Sequence, residues 1–133
     1  MKSIEMCIEG ILQEIVKRRD VDFGDKASVR RFNAAYDKSF AYMKYIDKHY
    51  PDQLDKVMNL LKSDEADVVG HCAPMILRLE HSTENQKQTA IQAIRDLLRD
   101  PRVSPADKLG FSMLIGEWHP KTESHMTAKY RTD

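Results

Sequence analysis

Apolar residues recur every three or four positions along the first part of the chain, a spacing that places them on one face of an α-helix. In the segment from about residue 2 to residue 19, the residues Ile4, Ile8, Ile11 and Ile15 stand four, three and four positions apart. The turn-forming segment "DVDFGDKAS" follows them. The pattern therefore predicts a first amphipathic helix that ends before this turn.

A second and longer apolar seam follows, and its spacings of three and four residues predict a long helix. Ser28 is the predicted N-cap, and Pro51 is predicted to end the helix because proline disfavours the helical conformation in the residue before it. Six of the nine Phe and Tyr residues of the chain lie between Phe32 and Tyr50. We interpret this helix as the aromatic spine of the core. The seam consists of Val29, Phe32, Tyr36, Ser39, Met43, Ile46 and Tyr50.

The remaining apolar runs have the same helical spacing. They predict a helix over residues 51–62, which opens on Pro51 at a first-turn position, and helices around the segments 68–79, 90–98 and 106–118. Ser104 and Pro105 form a predicted cap and first turn. No segment shows the alternation of a β-strand. The chain is therefore predicted to be all-α, with about six helices in a single domain over residues 1–119. We expect residues 120–133 to be a mobile tail.

Two parts of the chain resemble each other. The segments "LLKSDEADVVGHCAPMILRL" and "LLRDPRVSPADKLGFSMLIGEW" both run from a leucine pair through a basic residue into an acidic turn and then into an apolar helix with a glycine. The leucine pairs Leu60–Leu61 and Leu97–Leu98 are 37 positions apart, near the period of about 40 residues in two-helix HEAT repeats. The turns at Asp64 and Asp100 and the helix entry from Val68–Val69 to Ala73 complete the likeness.

On these motifs the chain resembles HEAT-like α-solenoids, and especially small bacterial single-domain proteins in which a long helix precedes two helical hairpins. The resemblance implies an α-α superhelix in which hairpins of about residues 51–80 and 83–118 stack on each other. It also implies a domain that binds proteins. Some small bacterial proteins of this kind are immunity proteins that neutralise a toxin, so we expect a cognate toxin as partner.

The adjacent residues His71 and Cys72 raise the question of reactive chemistry. Helical spacing puts Cys72 on the core stripe with Val68 and Met75, whereas His71 points about 100° away. A nucleophile–base pair must converge on one point, and a zinc site needs three or four ligands. We therefore expect no catalytic residue, no metal site and no cofactor.

Pro74 stands inside the predicted helix, where its ring opposes the carbonyl of Gly70 and costs about 3 kcal/mol in a regular helix. A kink or a tightened turn is expected over residues 70–74. One interpretation is that the kink only fits the curvature of the hairpin. The other is that it directs Asp67, His71 and Arg78 toward a partner.

Charge gives the chain no overall field, because Lys plus Arg and Asp plus Glu both number 21. The segment 52–67 has five acidic and two basic residues, a net charge of −3. If the partner is a nuclease toxin, these carboxylates would cover its positively charged, phosphate-binding cleft. The residues predicted to bind the partner are Asp64, Glu65, Asp67, His71 and Arg78.

A basic corner near the first loop supports an alternative from another class. This basic corner consists of Lys17, Arg18, Arg19, Arg30 and Arg31. In the alternative, the chain is a nucleic-acid-binding accessory domain whose affinity falls steeply with salt.

The amino-terminal segment is interrupted by Glu5, Glu9 and Glu14, so it has no continuous apolar stretch of the kind found in signal peptides. No window has the roughly 20 apolar residues that a membrane span requires. Cys7 and Cys72 form no disulfide framework and suit a reducing compartment. We expect a cytoplasmic protein without a membrane partner.

Overall fold

The computed structural model describes residues 2–117, and all regular secondary structure in this range is helical. The predicted all-α class with six α-helices is confirmed for these residues. The predictions for Trp118 and for the tail 120–133 lie outside the described residues. The α-helices are α1 (Ile4–Arg18), α2 (Lys26–His49), α3 (Asp55–Met58), α4 (Ala66–Leu77), α5 (Glu84–Leu98) and α6 (Pro105–Glu117).

Side-chain caps fix where the long helices begin. The Oγ of Ser3 accepts the backbone N–H of Met6 at the start of α1, and the carboxylate of Asp25 accepts the N–H of Ala27 at the start of α2. The prediction of Ser28 as the N-cap is wrong. Ser28 lies inside α2, where its Oγ accepts the N–H of Asp22 at 2.8 Å and so fastens the preceding loop to the helix.

The single helix predicted over residues 51–62 is divided into three short pieces. A 3₁₀ turn at Pro51–Gln53 precedes α3, and a second at Asn59–Lys62 follows it. Two features account for the difference. None of the three pieces has a side-chain N-cap, and the buried Leu54, Val57 and Leu60 stand three positions apart, the period of a 3₁₀ helix.

The helices pack mainly as pairs, α1 along α2 and α4 along α5, with α6 against α5. Helix α4 is buried on most of its circumference, since eight of its twelve residues are buried. It also contacts α1. Helix α4 further approaches α2, where His71 meets Ser39, and α6, where Gly70 faces Phe111.

A glycine allows the close approach of α1 and α2. A Cβ atom at Gly10 would lie 2.6 Å from two ring atoms of Tyr42, which is far inside van der Waals contact. The absent side chain therefore leaves room for the ring of Tyr42.

Pro74 lies within α4, and the helix continues past it to Leu77. A kink at residues 70–74 and a superhelical stacking of the hairpins 51–80 and 83–118 stay predictions. Among the helices of the described range, none has both the length and the apolar content that crossing a membrane requires.

Candidate binding cleft

An open cleft of about 410 Å³ lies where the end of α1 meets α2, α4 and the start of α6. Its walls combine aromatic rings with arginine side chains. The aromatic residues are Phe32 and Tyr36 from α2 and Phe111 from α6. The arginines are Arg18, Arg19 and Arg102.

Arg18, the last residue of α1, lies against the aromatic wall. Its Cζ is 3.9 Å from the ring centroid of Phe32 and 5.3 Å from that of Tyr36, close enough for cation–π attraction. The side chain is half-buried, and its Nε is buried without a hydrogen-bond partner. Burial lowers the pKa of the Arg18 guanidinium, but an arginine in this position remains charged at neutral pH.

His71 connects Arg18 to α2 through its two ring nitrogens. The hydroxyl of Ser39 donates its proton to the carbonyl oxygen of Tyr36 at 2.8 Å, so its oxygen must accept from the Nε2–H of His71, 2.6 Å away. The Nδ1 of His71 then carries no proton and accepts from the Nη1–H of Arg18 at 2.6 Å. These partners together require a neutral imidazole with its proton on Nε2.

The electrostatic surroundings favour the same state of His71. Burial, and next the charge of Arg18, lower the pKa of His71 to about 4. The ring of Tyr36 covers the imidazole edge-to-face, with centroids 5.6 Å apart. The imidazole is therefore a fixed hydrogen-bond acceptor for Arg18, because both of its nitrogens are occupied.

The other two arginines of the cleft are bonded to carboxylates. Arg19 donates from Nε to Asp67 at 2.7 Å and from Nη2 to Glu65 at 3.0 Å, which ties the end of α1 to the start of α4. Arg102 donates to Asp100 at 2.7 Å, and these bonds lower the pKa of Asp100 to about 2. Within residues 2–117, Arg18 is the arginine of the cleft that forms no salt bridge with a carboxylate.

Gly70 leaves room for Phe111, the aromatic residue that α6 contributes to the cleft. A Cβ atom at Gly70 would lie 2.9 Å from the Cζ of Phe111, so a larger residue would push this ring away from α4. In the sequence, Gly70 had a predicted role only opposite the ring of Pro74. The structure gives it a second role, which is to seat Phe111 in the cleft.

The five residues predicted to bind a partner differ in their surroundings. Asp64, Glu65 and Asp67 are exposed, but Glu65 and Asp67 bond to Arg19, which lines the cleft. Arg78 is exposed and lies 3.4 Å from the hydroxyl of Tyr36. His71 is only 6% exposed. Of these residues, Asp67 and His71 line the cleft.

The basic corner is also dispersed. Lys17 pairs with Glu14 at 2.7 Å, Arg18 points into the cleft, and Arg19 is held by Glu65 and Asp67. Arg30 and Arg31 remain exposed on α2. Three of the five side chains are therefore engaged within the fold.

Both cysteines are fully buried, and neither forms a disulfide. Burial raises the pKa of the Cys72 thiol to about 12 and also raises that of Cys7. The predicted core position of Cys72 is confirmed. A thiol that is buried and protonated is a poor nucleophile.

One group within residues 2–117 has metal-ligand atoms close together. The ligand atoms of Asp47, Glu80 and His81 lie within 4.8 Å of one another. However, the carboxylate of Asp47 already accepts the backbone N–H of Glu80 at 2.8 Å and that of His81 at 3.0 Å. The carboxylate thus fastens the loop after α4 to α2, which is a structural role.

Sequence reasoning missed most of the cleft, although Ser39 gave a signal. It is the polar member of the apolar seam of α2, and a buried hydroxyl requires a hydrogen-bond partner. The same seam contained Phe32 and Tyr36, which were interpreted as core residues. Both are half-buried and face the cleft.

Similarity to known proteins gives no function for this chain, so a functional proposal has to rest on the cleft. No family model, no curated protein and no solved structure matches the chain. The resemblance to HEAT-like solenoids and the immunity role that it implies therefore stay predictions.

Proposed function

We propose that the chain is a non-catalytic domain that binds a protein partner through the cleft. The observation that carries this proposal is the grouping of three aromatic residues and three arginines around one open cleft. Aromatic residues and arginine dominate the binding energy of protein–protein interfaces, most of all where they surround a pocket.

Phe23 extends this surface beyond the cleft. Its side chain is 72% exposed, and its ring packs edge-to-face on Phe32 with centroids 5.5 Å apart. Phe32 in turn supports Arg18. A partner that covers Phe23 would gain a large apolar contact next to the charged wall of the cleft.

His71 and Ser39 have little capacity for catalysis. Both nitrogens of His71 are engaged, and the hydroxyl proton of Ser39 is donated to a backbone carbonyl. A general base or a nucleophile needs a free lone pair directed at the substrate. The polar network of the cleft therefore supports a binding role.

The partner that the HEAT-like resemblance favours is a bacterial toxin. For a nuclease toxin, the positively charged, phosphate-binding cleft of the toxin would meet the exposed carboxylate of Asp64. In this proposal the chain acts in the cytoplasm as the immunity protein and occludes the toxin. The nucleic-acid alternative gains no support from the basic corner, because three of its five side chains are engaged within the fold.

The test is co-expression of the chain with the products of its flanking genes, followed by co-purification, titration calorimetry and a growth assay for toxin neutralisation. Phe23→Ser is expected to weaken the complex at least about tenfold. Met6→Ser is the matched control, since Met6 is 62% exposed and does not line the cleft. The proposal fails if no neighbouring product binds, or if the two variants bind equally well.

A further inference from the structure

We infer that the cleft is a carboxylate-binding site in which Arg18 receives an aspartate or glutamate side chain of the partner. The inference rests on the proposed protein-binding function and names the chemical group that the cleft recognises. It begins from the hydrogen-bonding capacity that Arg18 has left.

A guanidinium has five N–H donors. Within residues 2–117, Arg18 uses Nη1 for His71, its Nε has no acceptor, and Nη2 makes no hydrogen bond. The side chain lines the cleft, so an acceptor that enters can reach it there. A partly desolvated charge without a bonded counter-ion is costly, and a carboxylate that accepts from Nη2 would supply the opposite charge.

The guanidinium is also held in place before any ligand arrives. The ring of Phe32 supports one face at 3.9 Å, and His71 fixes one nitrogen at 2.6 Å. His71 is itself oriented by Ser39. A binding group that is already ordered loses little conformational entropy when it binds its ligand.

The remaining lining favours a single carboxylate over a phosphate. Asp67 and Asp107 also line the cleft, and their negative charges oppose a dianion more strongly than a monoanion. Phe111 and Val103 offer apolar contacts for the methylene groups of an acidic side chain.

Asp107 is the internal competitor of such a ligand. Asp107 lies close enough to Arg18 for its negative charge to favour the charged guanidinium. Within residues 2–117, however, no salt bridge joins the two side chains. Removal of its charge should therefore make the site more favourable for an incoming carboxylate. This gives two variants with opposite expected effects.

The experiment is an NMR titration of the full ¹⁵N-labelled chain with the α-amide of N-acetylglutamate, whose side-chain carboxylate is its one charge. We expect saturable shifts of the Arg18 Nε–H and His71 Nε2–H signals with a Kd on the order of 1–10 mM, typical of so small a ligand. Arg18→Gln should abolish binding, and Asp107→Asn should tighten it severalfold. Arg31→Gln, which changes an exposed arginine outside the cleft, should leave it unchanged.

Several results would overturn the inference. The first is that the glutamate ligand causes no saturable shift. The second is that the neutral N-acetylglutamine amide binds as well as the glutamate ligand. The third is that inorganic phosphate, or N-acetylleucine with its main-chain carboxylate, binds more tightly than the glutamate ligand. If Arg18→Gln does not fold, an unchanged Kd in Asp107→Asn overturns it as well. Its failure is distinguishable from that of the proposed function. A partner that binds wild type and Arg18→Gln equally refutes the carboxylate site alone, whereas the absence of any partner refutes protein binding.

Discussion

The Nδ1 of His71 lies 2.6 Å from the Nη1 of Arg18, so two side chains that can both be cationic share a hydrogen bond. The contact is favourable only while the imidazole is neutral. Ser39 supports that state from the other side of the ring, because its oxygen accepts the Nε2 proton. Three helices, α1, α2 and α4, are thereby linked through one neutral histidine.

This link makes stability depend on pH. The folded state lowers the pKa of His71 from 6.5 to about 4, so on acidification the unfolded chain takes up the proton first. The contribution is therefore fully present above about pH 6.5 and falls by roughly 3 kcal/mol as the pH drops to about 4. Urea unfolding at pH values across this window measures it. His71→Gln should lose this slope.

Gly10→Ala tests the close approach of α1 and α2. Alanine favours a helix by up to about 1 kcal/mol over glycine, but its Cβ would lie 2.6 Å from the ring of Tyr42. Overpacking of this kind costs about 1–3 kcal/mol, so we expect a net loss of about 1 kcal/mol in thermal or urea unfolding. Gly110→Ala is the matched control. Its Cβ meets no atom within 4 Å, so this variant should gain stability. A gain in both variants would contradict the packing role of Gly10.

Asp47→Ala tests the attachment of the loop after α4 to α2. The change removes the acceptor for the N–H groups of Glu80 and His81, and we expect a loss of about 2 kcal/mol in the free energy of unfolding. Asp47→Asn, which retains one acceptor oxygen, should lose less. Asp37→Ala changes an exposed residue of the same helix and should stay within about 0.5 kcal/mol of wild type. Equal stabilities of the Asp47→Ala and Asp37→Ala proteins would refute the attachment.

The helices of this fold could be predicted from the sequence where the spacing of apolar residues alone defines them. The seam of α2 keeps a spacing of three and four residues over its whole length. The helix ends just before Pro51, as predicted, but its N-cap Asp25 lies three residues before the predicted Ser28. The segment 51–62 was harder, because its buried residues stand three apart. That spacing fits both a helical face and the 3₁₀ turns that the structure contains.

The cleft could not be predicted in the same way, because its network joins residues from different helices. Arg18, Ser39 and His71 come from α1, α2 and α4, and periodicity gives the face of each residue but not which faces meet. The helical spacing predicted that His71 points away from Cys72. It did not show that α2 covers this second face of α4 and buries the imidazole.

The two thiols provide a direct measure of how tightly the core around α4 is closed. Cys7 and Cys72 are both fully buried, and burial raises the pKa of Cys72 to about 12. Alkylation by iodoacetamide, followed by mass spectrometry, should therefore be at least about a thousandfold slower than for a free thiol, since it requires opening of the fold. Ser112→Cys places a thiol at an exposed position of α6 and should react at once. Rapid labelling of Cys72 in the folded wild type would mean that α4 does not pack closely against its neighbours. The fixed position of His71 next to Arg18 would then be contradicted as well.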